Sequence, residues 1–448
     1  MSIKNTLQVA ALKQVYAYLD KDPDENLPKL INLLEEMDFT KFYEKSFLVV
    51  KKALADPDNN WSTLTRSLWT DIDPGVRKAL VHNVLINGSF LWTQRNKELS
   101  QKYNCNLPWT ILMDPTSSCN LHCTGCWAAE YGNKLTMDLE TLDSIIIQGK
   151  DLGIHFFLFS GGEPLIRKKD IITLCERHSD CAFLAFTNGT LIDEGFADEM
   201  LRVKNFVPAI SVEGFESETD LRRGQGTFAR VDHAMEILKR KKLAFGLSCC
   251  YTSLNTETIG SEEYFDWMVE KGAKFVWLFT YIPVGHSAHT NLMVSAEQRV
   301  FMMHQVRKFR DAKPIFSMDF WNDGEYVEGC IAGGRKFLHI NANGDIEPCA
   351  FIHYSDSNIK EKTLLEAFQS PLFMAYHNGQ PFNHNHLRPC PLLDNPNALV
   401  SMVESSGAHS TDISIPEYVC DLAGKCYEKA AKWAEVSDPI WESMHGPL

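Results

Sequence analysis

The sequence predicts an α/β fold, a partial (β/α)6 barrel of the TIM type with an N-terminal all-helical domain before it and a C-terminal loop-rich, cysteine-containing domain after it. Three observations carry this expectation. Apolar residues recur three and four apart up to about Lys102, as in LPKLINLLEEMDF and YEKSFLVVKKAL. From Pro108 onward, six short apolar runs alternate with amphipathic helical stretches. After about Lys313 the alternation stops, and Gly, Asn, Pro and Cys become frequent.

The helical periodicity from Leu7, broken by polar turns at DPDEN and DPDNN, assigns residues 1–105 to a helical domain. WTILMD, HFFLFS, FLAFTN, PAISVE, AFGLSCCY and FVWLFTY then read as strands, with segments such as LETLDSIIIQGKDLG and RVDHAMEILKRKK as the helices between them. Strands joined by helices imply a parallel sheet, and about 200 residues suffice for a partial barrel. This places the barrel at 106–313 and a third domain at 314–448, within which Asp394 to Pro416 reads as a polar loop over a site.

Composition narrows the function. A formal charge of -14, with no basic run, speaks against a nucleic-acid partner. MSIKNTLQVAALKQVY lacks the basic flank and apolar core of a secretory signal, and no segment reaches the roughly 20 apolar residues that span a bilayer. A cytoplasmic protein without a transmembrane segment is expected. In a reducing compartment, 13 cysteines point to metal ligands or small core residues, and spacing separates the two.

Directly after the first strand, TSSCNLHCTGCW places Cys119, Cys123 and Cys126 in the spacing C-x3-C-x2-C. Three thiolates on one short loop can hold three irons of a cubane and leave the fourth open, whereas a closed zinc site takes four ligands. In barrels of this kind the loops after the strands form the active face. A zinc knuckle is the bland alternative. SGGEP follows the second strand, with Gly161 and Gly162 permitting a close backbone approach and Glu163 supplying an acceptor for an ammonium group.

These motifs resemble the radical S-adenosylmethionine (radical SAM) superfamily, whose signature is this three-cysteine loop. The resemblance implies a [4Fe-4S] cluster, S-adenosyl-L-methionine chelated at the open iron, reductive cleavage to a 5'-deoxyadenosyl radical, and oxygen sensitivity. It assigns Gly161, Gly162 and Glu163 to the methionine amine, and Asn188 in FTNGT to a motif of the peptide-modifying branch. Ser211 and Glu213 in AISVEG would meet ribose or the methionine carboxylate, Arg222 and Arg223 would neutralise a carboxylate, and Tyr281, Ile282 and Val284 would wall the adenine. One residue departs from the pattern, since the position before the third cysteine is usually aromatic in the family and is Gly125 here.

Cys330 and the GDIEPC stretch ending on Cys349 resemble the opening of a SPASM or twitch extension, which binds auxiliary iron-sulfur clusters. Without a C-x2-C pair near Cys390, one auxiliary [4Fe-4S] cluster is expected, its four ligands drawn from Cys330, Cys349, Cys390, Cys420 and Cys426. A zinc ribbon on the same sulfurs is the alternative. Cys105, Cys175, Cys181, Cys249 and Cys250 lack ligand spacing and read as core. The expected activity is hydrogen abstraction from a peptide or protein side chain, with a lipid or small metabolite as the alternative substrate and a low-potential donor such as ferredoxin or flavodoxin as partner. A non-catalytic iron-sulfur or zinc protein is the reading from another class.

Overall fold

The computed structural model of the chain describes residues 14–36 and 44–446. The first residues of the helical run expected from Leu7, and positions 37–43 within it, lie outside the described residues. The remainder of that domain is helical, with helices Pro23–Glu36, Glu44–Ala55, Asn60–Thr70, Pro74–Leu80 and Trp92–Tyr103 and a π-helical stretch Val81–Leu91 between the last two. Local chemistry sets these ends. The Asp73 carboxylate accepts from the Gly75 and Val76 amides at 2.8 and 3.0 Å ahead of Pro74 at the first helical position. Asn104, in the left-handed region at φ 50°, ends the last helix.

The central sheet is built from β1 (Thr110–Met113), β2 (Phe156–Phe159), β3 (Ala182–Thr187), β4 (Phe206–Ser211), β5 (Gly246–Tyr251), β6 (Phe275–Thr280), β7 (Phe316–Asp319), β8 (Phe337–Ile340) and β9 (Ile346–Glu347). Their order is β7-β6-β5-β4-β3-β2-β1-β8-β9, parallel throughout except for the β8–β9 hairpin. The six expected strands are all present. The sheet also carries β7 and β8, which the boundary at 313/314 assigns to the third domain. FSMD is half polar and FLHI holds a buried histidine, so neither has the uninterrupted apolar run of a central strand.

Outside the barrel, helices bury one face against the sheet: Leu142, Ile145 and Ile146 of Leu139–Asp151 are fully covered. The third domain is less loop-like than its composition implies. A helix, Pro396–Ser406, occupies much of the expected 394–416 loop because Leu399, Met402 and Val403 recur at helical spacing and are buried. Beyond it, His409–Ser410 pairs with Tyr354–Ser355 in a small antiparallel ribbon. No helix among the described residues is long and apolar enough to cross a membrane.

The helical domain grips the base of the barrel, where the strands begin. Asn60 donates to the Arg310 and Lys313 carbonyls at 2.8 and 3.1 Å, and Asn83 to those of Ser179 and Cys181 at 2.9 and 2.8 Å. The Trp109 indole donates to the Gly88 carbonyl at 2.6 Å within the π-helical stretch. A TIM-type barrel is normally filled by layers of side chains. Here the interior encloses a cavity of about 870 Å3, lined from the strand-start residues Thr110, Phe156, Phe316 and Phe337 to the loops that follow the strands.

Candidate active site

The loop after β1 carries Cys119, Cys123 and Cys126, and all three side chains line this cavity. Neighbouring loops hold it in place by backbone contact. The Gly162 amide donates to the Thr116 carbonyl at 3.0 Å, and the Glu163 amide to that of Ser118 at 2.8 Å. A Cβ on Gly161, whose φ is 103°, would lie 2.4 Å from the Thr116 oxygen, and one on Gly162 would lie 2.1 Å from the Ser118 oxygen. The close approach expected of these glycines is therefore an approach to the cysteine loop itself. Gly162→Ala is expected to destabilise the fold by about 3 kcal/mol through forced overpacking. It should also lower the iron retained per chain, read by calorimetry together with an iron assay.

Glu163 is buried, and its carboxylate accepts from Thr187 Oγ1 at 2.6 Å, the Asn188 amide at 2.7 Å and the Leu165 amide at 2.9 Å. Burial raises its pKa above the ordinary carboxylate value against these three donors. The Asn188 side chain donates to Asn120 Oδ1 at 2.8 Å, tying the loop after β3 to the cysteine loop. Ser211 lies on the cavity wall.

Glu213 has a different place from the one the resemblance implies. It is fully buried, accepts the Cys250 amide at 3.0 Å and pairs with both Arg222, at 2.7 Å, and Arg223. Burial alone would push its pKa up, but the two guanidinium groups outweigh this and hold it below the ordinary value. A carboxylate at this depth needs such partners, which leaves it buried in ion pairs and not presented to ribose. The arginines in turn reach the cysteine loop: the Thr124 amide donates to the Arg222 carbonyl at 2.9 Å, and an Arg223 nitrogen lies 4.0 Å from Cys123 Sγ. Their positive charge falls beside the Cys123 sulfur, and the carboxylate they meet is Glu213.

Gly125 has a φ of 68°, and a Cβ there would lie 2.7 Å from Cε2 of Tyr281. The Tyr281 ring, from the loop after β6, thus covers the face of the cysteine loop where the family pattern has an aromatic side chain. Its hydroxyl accepts the His289 amide at 3.1 Å. Trp127 turns the other way, packing edge-on against His339 and Phe351 with centroids 5.5 and 5.9 Å apart.

Cys330, Cys349 and Cys390 line the same cavity, and the antiparallel return of β9 brings Cys349 toward the start of β8, away from the loop after β1. Burial lifts the Cys330 thiol to about 12 and the Cys390 thiol to about 11, and it lifts Cys349 further, with Cys330 and Cys390 close enough to add to the shift. Cys426 is buried, which pushes its thiol up, and Cys390 adds to that shift. Cys420 stands apart: it is exposed, with its thiol 3.7 Å from Glu404, because the short helix Val419–Gly424 turns it outward. Cys105, Cys175, Cys181 and Cys249 are buried, as core cysteines are, but Cys250 faces the cavity.

Behind Trp127 lies a buried polar cluster that motif spacing does not reveal, since its members are far apart in the chain. His339 Nε2 lies 3.0 Å from Asp114 Oδ2, and His339 Nδ1 lies 2.6 Å from Glu347 Oε2. Glu347 also accepts from the Tyr131 hydroxyl at 2.7 and 2.9 Å, Asn341 Nδ2 at 3.0 Å and Thr411 Oγ1 at 2.5 Å. Burial works against a charged imidazole, yet the two carboxylates raise the His339 pKa to about 10.

Among the described residues, no three His, Cys, Asp or Glu side chains converge tightly enough to hold one metal ion. Zinc, bonded at about 2.3 Å to each thiolate, needs such convergence. A four-iron cluster, whose thiolates bind different irons, does not.

A parallel partial barrel with three thiols at its loop face defines an enzyme whose chemistry lies at that mouth. Residues 113–268 match the radical SAM superfamily. Relatives include the AdoMet-dependent heme synthase of Methanosarcina barkeri, 23% identical over 294 residues that cover 59% of this chain and 83% of that protein. Another is the cysteine-type anaerobic sulfatase-maturating enzyme of Clostridium perfringens, 29% identical over 307 residues, covering 59% and 80%. Streptococcus suis SuiB bound to S-adenosylmethionine shares the fold at a TM-score of 0.54 and 20% identity, over 65% of this chain and 72% of that one. The chain is a radical SAM enzyme, and its cofactors are a [4Fe-4S] cluster and S-adenosylmethionine.

Proposed function

We propose that this enzyme abstracts hydrogen from a substrate whose reacting part is apolar, held inside the barrel between two iron-sulfur sites. One observation carries the reading: the Cys119, Cys123 and Cys126 thiols and the Cys330, Cys349 and Cys390 thiols line a single cavity whose walls between them are aromatic. Cys119, Cys123 and Cys126 would hold the [4Fe-4S] cluster, which when bound would supply the electron for reductive cleavage of S-adenosylmethionine. The chain's own residues hold and orient. Glu163, fixed by its three donors, stands ready for the cofactor's ammonium group, and Asn188, Ser211 and Tyr281 stand around the same loop face. Arg222 and Arg223 offset thiolate charge.

Cys330, Cys349, Cys390 and Cys426 form the set proposed for an auxiliary [4Fe-4S] cluster. The Tyr376 hydroxyl supports this assignment. It is buried without a hydrogen-bond partner, close enough to Cys330, Cys349 and Cys390 that they raise its pKa after burial does, and cluster sulfur there would accept its proton. Ferredoxin or flavodoxin is the proposed class of electron donor. A peptide side chain as substrate is the second reading, supported by the sulfatase-maturating relative and by the fold shared with SuiB, which is solved with its precursor peptide SuiA.

Anaerobic reconstitution with iron and sulfide, then dithionite and S-adenosylmethionine, tests the assignment. The expected outcome is 5'-deoxyadenosine together with iron for two four-iron clusters per chain. Bound zinc and no cleavage would overturn it.

A further inference from the structure

The cavity reaches the base of the barrel as well as its loop face. Thr110, Phe156 and Phe337 are the first residues of β1, β2 and β8 and stand opposite one another in register, and all three line the cavity. Phe316, the first residue of β7, lines it too and is 41% exposed, as are Tyr326 at 62% and Val327 at 41%. Large apolar side chains that border a cavity while facing water mark a mouth. This mouth lies at the strand-start end, remote from the cysteine loop.

The polar side chains of β1 and β7 behind it are already paired. The Thr110 hydroxyl is spent on the Phe156 carbonyl at 2.9 Å and that of Ser317 on the Ile315 carbonyl at 3.4 Å. Asp319 is taken by Tyr251, the Trp321 amide and Asn322 at 3.1, 3.2 and 2.7 Å. Much of the remaining wall is aromatic: Phe279 stacks on Phe320 at 4.6 Å, and Trp277 and Phe351 lie within 5.6 Å of Phe320 and 5.5 Å of Trp321, respectively. A peptide backbone brings a donor and an acceptor with every residue, and each left unpaired in such surroundings costs about 1–3 kcal/mol. A hydrocarbon chain brings none.

Charge at the base is selective. Arg307 is paired with Glu325 at 2.9 Å and Arg310 with Asp323, while Asp311 is exposed to water. Lys336, which also lines the cavity, forms no ion pair among the described residues. Its ammonium rests 5.1 Å from the centroid of the Trp92 ring.

From the reading that the substrate occupies the barrel interior, we propose that the substrate is an acyl lipid with an anionic head, which threads its chain through the base mouth and leaves the head beside Lys336. The chain then points its methylenes toward the cysteine loop. The helical domain, through Trp92 and the π-helical stretch that holds Trp109, forms one side of that mouth.

Bromine quenches tryptophan at short range, and Trp109, Trp127, Trp277 and Trp321 line the cavity, so 12-bromododecanoate reports occupancy of the reconstituted holoenzyme. Saturable quenching is expected, with 12-bromododecanol binding more weakly and a hexapeptide containing 4-bromophenylalanine giving none. Lys336→Gln should weaken dodecanoate binding about tenfold, the loss of one charge-assisted contact, while leaving the alcohol unchanged. Lys336→Arg should retain acid binding and thereby show that the site is intact. Phe316→Glu should abolish binding of both probes. Quenching by the peptide alone, or equal affinity of Lys336→Gln and wild type for the acid, would overturn the proposal. Formation of 5'-deoxyadenosine by the wild-type enzyme, run in parallel, separates the two readings: cleavage without acid binding refutes the lipid and leaves radical chemistry standing.

Discussion

Cys123→Ala is expected to yield no detectable 5'-deoxyadenosine under conditions where the wild-type chain accumulates it. The variant should also lose iron equivalent to one four-iron cluster while keeping the other. Cys119, Cys123 and Cys126 are the only cysteines on the loop after β1. The loop is fixed at several points by the backbone of the β2 loop and by Arg222. Removing one of three ligands therefore leaves an intact loop that cannot hold a cubane with a single open iron. The fold should survive, because Cys123 is half-buried and carries no core packing. Retained cleavage in this variant, with iron unchanged, would place the cluster elsewhere.

Glu347→Ala is expected to cost about 4 kcal/mol of stability, read as a lower denaturant midpoint, because it strips the carboxylate from a buried cationic partner. Glu347 is fully covered and is the shared acceptor of His339, Tyr131, Asn341 and Thr411. Its removal leaves four buried donors to find other partners. The same cluster gives a pH signature. In the folded chain His339 has its pKa raised to about 10, against 6.5 for a free histidine. The stability it contributes is thus complete below about pH 6.5 and is lost as pH rises through about 10. The midpoint of the wild type should fall over that interval by more than that of His339→Gln. Parallel profiles would remove the charged imidazole from the account.

How much of this was legible before any coordinates depended on whether a feature was local. The six central strands announce themselves because a strand buried on both faces is a short apolar run, and FFLF and FVWLFT are such runs. β7 and β8 escaped because a serine, an aspartate and a buried histidine dilute them. The three-cysteine loop was legible from spacing alone, and so was the hairpin that turns at Gly344, whose φ is 96°. What spacing could not show was which way a side chain faces. Cys420 and Cys426 are equivalent in CDLAGKC, yet Cys420 faces outward from the short helix Val419–Gly424 while Cys426, capping the helix Tyr427–His445, is buried. Nor could it show contacts between distant segments. Tyr281 over Gly125, the Arg222 and Arg223 clamp on Glu213, and the Asp114, His339 and Glu347 cluster are each assembled by the sheet from separate loops.

The pairing of β8 with β1 has a mechanical consequence. Thr110 through Met113 pair residue by residue with Phe337 through Ile340; β1 runs on past its far end to Cys119, whereas β9 returns antiparallel to β8 and brings Cys349 back toward the level of Phe337. Cys119 and Cys349 therefore hang from opposite ends of one paired ladder and not from separately hinged bodies. Each paired residue adds about 3.3 Å along the strands, and that rise does not stretch. The gap between the two sites acts as a fixed gauge, and a guest has to match its span, since the frame cannot close around a shorter one.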